Sequence, residues 1–153
     1  MYSRQEASQL RQAFWTTFGR YMAPLLSADG EKVNWVNYKT GERHLAFTME
    51  AGNKDASIGI TLSHPEPAVR ELYYEQLAQL RPLLEDSLGE AWNWQPNAGD
   101  EHGRIISRVK MELNGVSVFR QEDWPALISF FRPRIVGLDQ FWSGVRYAFE
   151  ALR

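Results

Sequence analysis

Apolar residues in this chain recur at steps of three and four in three long stretches, and alternate one-in-two in several short stretches between them. The first long stretch carries Ala7, Leu10, Phe14, Phe18, Tyr21, Met22 and Leu25 on one side of a helix. Ser3 and Glu6 stand before it in the spacing of a capping box, where side chains satisfy free backbone N–H groups. Pro24 and the Asp29-Gly30 pair close the element.

Three strand patterns follow. Residues 33–38 form the first, with Lys39-Thr40-Gly41 as a turn. In the second, Leu45, Phe47 and Met49 share one face, while His44, Ala46, Thr48 and Glu50 share the other. In the third, Ile58, Ile60 and Leu62 alternate, and Gly59 leaves a gap on the opposite face. The short links predict an antiparallel meander. A second helical stripe runs through Val69, Leu72, Tyr73, Leu77, Leu80, Leu84 and Leu88, with Pro82 expected to kink or split it and Gly89 to cap it.

Trp92 and Trp94 then alternate on a short strand, and residues 96–103 read as an exposed loop. Ile105, Val109, Met111 and Leu113 belong to a longer strand, from which Asn114-Gly115 predicts a hairpin into residues 116–119. Asp123 and Pro125 open a last helix, bent at Pro133. Its stripe is Ile128, Phe131, Ile135, Leu138, Trp142, Val145, Phe149 and Leu152. The expected order is α-βββ-α-ββ(β)-α: one α+β domain over residues 1–153, with three helices on an antiparallel or mixed sheet of about five strands.

Composition narrows the chemistry. Six Trp, six Tyr and eight Phe supply a large core without cysteine. The absence of cysteine removes disulfides, thiolate metal sites and cysteine nucleophiles, and suits a reducing compartment. No apolar run reaches the length of a membrane span, and the first residues lack a signal-peptide core. A bacterial cytoplasm is the expected location. Net charge is −2, divided as −5 over residues 1–103 and +3 over residues 104–153. That balance gives no global attraction to nucleic acid.

No cofactor is expected, since phosphate-binding glycine turns and nucleophile elbows are absent from the sequence. No metal site is expected either, because His44, His64 and His102 lack the helical spacing of metal ligands. No catalytic residue is assigned. Helix–strand–strand–strand–helix–strand is also the order of a restriction-endonuclease-like core. Glu50 fits its first carboxylate, but Ser57-Ile58-Gly59-Ile60-Thr61-Leu62 lacks the acid-x-Lys triplet that would help hold Mg²⁺. A degenerate core serving as a binding module survives that test.

Two groups of residues stand out as candidate binding surfaces. Arg104, Arg108 and Lys110 alternate on one strand and share a face, and Lys39 and Arg43 flank a turn beside Trp35 and Tyr38. Basic groups beside exposed aromatics hold phosphates and stack bases. Trp35, Tyr38 and Arg108, together with His44, Trp92 and Trp94, would line an aromatic and basic pocket for a small ligand or an enzyme. The last helix, in turn, keeps Phe130, Phe141 and Tyr147 off its seam. Its apolar face, with Trp142, is wide enough for a second copy of the chain.

The opening residues Tyr2 to Ala7, the segment Val33-Asn34-Trp35-Val36-Asn37-Tyr38-Lys39-Thr40-Gly41 and the segment Asp123-Trp124-Pro125-Ala126-Leu127-Ile128-Ser129-Phe130-Phe131 resemble the bacterial "domain of unknown function 4268" proteins. The resemblance runs nearly end to end and implies a stand-alone member. Some relatives carry such a domain behind a nuclease-like one, which implies a link to DNA processing or defence. It supplies no catalytic residue. The leading expectation is a non-enzymatic interaction module that forms a homodimer or binds a protein partner. Nucleic acid and a small-ligand or enzymatic pocket remain the alternatives.

Overall fold

Helix α1 (Arg4–Met22) starts where the capping pattern places it, with Ser3 Oγ accepting the Glu6 N–H at 3.1 Å. The computed structural model describes residues 2–153. Phe14, Phe18 and Met22, at four-residue steps, are the buried residues of α1, whereas Tyr21 is half exposed.

Residues 33–38 are not a strand. Asn34 Oδ1 accepts the N–H groups of Val36 and Asn37, both at 3.1 Å, and folds the segment into a turn. A side chain offering the backbone such a local partner competes with a strand ladder. The whole link from α1 to the sheet is therefore irregular, and buried Asp139 fixes it: Oδ1 accepts the Tyr38 hydroxyl at 2.6 Å and Oδ2 the Ala28 N–H at 2.8 Å.

Strands β1 (Leu45–Ala51) and β2 (Asp55–Leu62) form the antiparallel hairpin that the alternation predicts, with Phe47 opposite Ile60 and Thr48 opposite Gly59. The second helical stripe is divided at Leu80 into α2 (Pro67–Gln79) and α3 (Arg81–Leu88), because Pro82 fits only the first turn of a new helix. Gly89 caps α3 in the left-handed conformation, φ 72°, donating to Glu85 O at 2.8 Å.

The second half of the sheet differs from expectation. β3 (Asn93–Gly99) takes in the first half of the stretch read as a loop, and Trp92 lies just before it. β3 pairs with β4 (Ile105–Asn114), giving four antiparallel strands in the order β1-β2-β4-β3. Residues 116–119 do not return along β4. Gly115 and Val116 donate to Lys54 O, and Val118 donates to Gly52 O, so the chain lies along the β1–β2 turn.

Helix α4 (Trp124–Val145) continues through Pro133, and a one-turn helix α5 (Tyr147–Glu150) follows a break at Arg146. Asp123 does not cap α4 with its side chain; its Oδ2 accepts the Ser117 N–H and the Arg120 Nε–H instead. The helices pack on one face of the sheet around a contiguous core that includes Phe14, Phe18, Ile58, Ile60, Phe131 and Leu138. No helix among the described residues is long and apolar enough to cross a membrane.

Candidate functional site

Period-two alternation gives the sheet two unlike faces. Leu45, Phe47, Ile58, Ile60, Leu62 and Val109 turn toward the helices and are buried. Residues of the other parity form rows across the uncovered face: Ala46, Thr61, Arg108 and Gln95 in one, Thr48, Gly59, Lys110 and Asn93 in the next, then Glu50, Ser57 and Glu112.

Gly59 sets how closely these strands approach. A Cβ there would lie 2.7 Å from the Val109 carbonyl oxygen and 2.9 Å from Lys110 Cβ, inside any tolerable contact. Either side of it, the hydroxyls of Thr48 and Thr61 meet at 3.0 Å.

The tip of the β3–β4 hairpin completes a cleft over this face. One extra β3 residue between Gln95 and Ala98 makes a bulge against Arg108–Ile106, and Asn97 takes φ 52° there. Its N–H donates to Ser107 Oγ at 3.1 Å, and its side-chain oxygen accepts from Arg70 at 3.2 Å. At the tip, Asp100 Oδ1 accepts the N–H groups of His102 and Arg104, both at 2.8 Å. The Arg104 N–H is the main cause of an Asp100 pKa below the usual carboxylate range. Tip residues 99–104 and the face of β1, β2 and β4 enclose a concavity of about 500 Å³.

Charge within the concavity is mixed. Arg104 pairs with Asp100 at 3.0 Å, and Lys110 pairs with Glu112 at 2.6 Å. The Lys110 hydrogen bond holds the Glu112 pKa down. Arg108 Nε donates to the neutral Gln95 side chain at 2.7 Å, and Arg108 makes no ion pair among the described residues. Glu50 and Glu101 add acidic groups at the opposite end.

The aromatic half of the expected pocket lies elsewhere. Trp35 is buried in the core and donates its indole N–H to Leu25 O at 3.0 Å. Tyr38 packs on Phe47, ring centres 5.1 Å apart, and burial together with Asp139 pushes its pKa well above the ordinary tyrosine value. Trp92 is buried and donates to Glu90 at 2.7 Å. Trp94 packs against Tyr74 on the helix side, beneath the Arg81 guanidinium. Lys39 and Arg43 are exposed on the α1–β1 link. These aromatics and Arg108 therefore belong to opposite sides of the sheet.

The expected dimer surface is also displaced. Phe130, Phe141 and Trp142 are only 5%, 2% and 2% exposed and fill this chain's own core, so most of the wide apolar face expected to receive a second copy is occupied within the chain. Of the four residues, Tyr147 alone is exposed. The nuclease-like layout dissolves as well, since two strands rather than three separate α1 from α2.

Two features escaped the sequence reading. His44 and His64, remote in sequence, meet edge to face at 4.5 Å; burial, then His64 and Arg43, lower the His44 pKa. Arg70 is a buried cation on α2. Its signal was available, because it precedes Tyr73 and Leu77 at three and seven residues, on the buried stripe. No group of three or more His, Asp or Glu side chains suited to a metal ion occurs among the described residues.

An antiparallel sheet with helices on one face and a polar, hairpin-capped concavity on the other defines an α+β protein with one open sheet face. The chain belongs to the "domain of unknown function 4268" family, whose model matches residues 10–146. No curated protein and no solved structure matches it.

Proposed function

We propose that the protein is a non-enzymatic interaction module, a single domain of the bacterial cytoplasm, which docks a segment of a partner polypeptide on the uncovered sheet face. The observation that carries this reading is the mixed charge of that face: cationic Arg108 at one end and acidic Glu50 at the other, with hydroxyl groups between them. Two strand spacings (~10 Å) and four residue steps (~13 Å) separate the two positions, a diagonal of ~16 Å. An extended peptide covers that span in about five residues. A ligand with opposite charges at that interval satisfies both ends.

A polyanion fits the face less well. Of the three cations on or next to β4, Arg104 at the hairpin tip and Lys110 are already paired, and Glu50, Glu101 and Glu112 would oppose phosphates. Catalysis has little support either, since no hydroxyl in the concavity is hydrogen-bonded to a histidine or carboxylate among the described residues. A role beside DNA-processing machinery is then one of protein contact.

The test is a displayed peptide library panned on the native protein, with Arg108→Glu as the counter-selection. Enrichment of peptides carrying an acidic residue four or six positions from a basic one, the even spacings that turn both side chains to the sheet, is expected, with binding lost in Arg108→Glu and in Glu50→Lys. Salt-sensitive binding of a duplex oligonucleotide that Arg108→Glu abolishes, with no peptide enrichment, overturns the reading in favour of nucleic acid.

A further inference from the structure

Arg70 is 3% exposed, yet its partners are neutral: the His64 carbonyl oxygen at 3.0 Å and the Asn97 side-chain oxygen at 3.2 Å. Its Nε has no hydrogen-bond partner among the described residues. A guanidinium cannot shed its proton at any ordinary pH, so this is a permanent buried charge without an anionic partner among the described residues. Buried charges are as a rule paired or bound to a counter-ion.

Arg70 lines a depression of about 510 Å³ where α2 begins beside the first residues of β4. The other polar groups lining it are His44, Ser63 and Arg104, and among the described residues no carboxylate lines it. The Arg104 side chain is mostly exposed; Nε is held by Asp100, and its terminal nitrogens make no hydrogen bond among the described residues. Glu66, at the N-cap of α2, makes no side-chain cap, so the positive end of a 13-residue helix adjoins the same place. Pro65, Pro67 and the half-exposed Ile105 supply apolar walls.

We propose that this depression is a binding site for a small organic anion. Its carboxylate or phosphate head is held by Arg104 and His44, with the Arg70 charge beneath, and its apolar body rests against Ile105 and the two prolines. Arg70 acts as a positioning residue here. It holds the Asn97 bulge and supplies fixed positive potential, whereas Arg104 and His44 are the groups that touch the ligand. Ser63, Arg104 and Ile106 border this site and the sheet-face concavity alike, but Arg108 and Glu50, which carry the proposed function, line only the concavity, so Arg108→Glu separates the two readings.

The experiment titrates the protein with phenyl phosphate, benzoate and inorganic phosphate, following the imidazole resonances of His44 and His64 together with the melting temperature. Saturable His44 shifts and a raised melting temperature are expected with one of the two aromatic anions, and weaker binding with inorganic phosphate. The tighter aromatic anion identifies the head group. Arg104→Gln, an exposed change that leaves the core untouched, should weaken binding about tenfold, the loss of one charge-assisted hydrogen bond. Arg108→Glu should leave it unchanged. Absence of saturable shifts with all three anions overturns the proposal, and so does undiminished binding in Arg104→Gln. Arg70→Met that folds and still binds the aromatic anion as the native chain does assigns Arg70 to the bulge alone, and overturns its part.

Discussion

The two faces of the sheet are made from the same strands, yet they obey different rules. Toward the helices, Ile58, Ile60 and Val109 are at most 1% exposed, and each neighbour constrains the next. Toward solvent, Thr61, Arg108 and Lys110 keep part of their surface, and their polar bonds are local. The buried face is where substitutions should register as lost stability; the open face is where they should register as lost binding. That division places the candidate function on the face that the fold does not need.

The sharpest way to break the comparison is a large deletion beneath the covered face. Phe131 is 0% exposed and lies within about 6 Å of the rings of Phe14, Trp15 and Phe18. Phe131→Ala should destabilise by ~3–5 kcal/mol, read from the urea midpoint, because truncation leaves a cavity among rigid aromatics. Trp142→Ala should fall in the same range, and it also removes the indole bond to Thr40 O at 2.8 Å. A Trp142→Ala chain with an unshifted midpoint and an altered oligomeric state would restore the seam as an interface.

Gly59 is the exception on the open side. Any Cβ there meets the Val109 backbone oxygen, which cannot swing away as a side chain would. Gly59→Ala should therefore cost ~1–3 kcal/mol in the same urea experiment, an overpacking penalty on a face otherwise tolerant. A neutral Gly59→Ala would show that the two strands separate easily, and the contrast between the faces would weaken.

Smaller again is the anchoring of the α1–β1 link. The raised pKa of Tyr38 means that the folded chain holds its phenol proton to higher pH than the unfolded chain, which releases it near pH ~10. Below that pH both states are protonated and the stabilisation is complete. Above it only the unfolded state ionises, so stability falls as pH rises toward the folded value. Tyr38→Phe should flatten the drop in melting temperature between about pH 9 and about pH 11. Part of the slope should remain, because burial raises Tyr73 and Tyr74 as well.

The parts of this architecture that depend on local spacing were legible in sequence: the α1 cap at Ser3, the alternation in β1 and β2, the break at Pro82 and the shared face of Arg108 and Lys110. The parts that failed depend on partners far along the chain. Residues 116–119 have strand composition, but the N–H groups of Val116 and Val118 find the carbonyls of Lys54 and Gly52, some sixty residues back. Trp35 and Trp92 looked available for a ligand because periodicity cannot say which side of a link faces the core. The burial of Arg70 was readable from its place on the α2 stripe, but the His44–His64 contact and the depression around Arg70 arise only once the α2 start and the hairpin bulge come together.

The smallest expected effect is the one that most sharpens the comparison. Replacing Arg104, Arg108 and Lys110 together with Glu removes two surface ion pairs, with Asp100 and with Glu112, and one bond to Gln95. Exposed pairs contribute ~0–1 kcal/mol each, and like-charge crowding of the new glutamates with Glu112 and Asp100 adds a comparable penalty. The triple variant should stay folded, with a urea midpoint displaced by less than the single change Phe131→Ala produces, while peptide capture on the open face disappears. If instead it unfolds, those cations help to hold the hairpin over the sheet. The open face would then be part of the scaffold, and a binding site would have to be sought outside it.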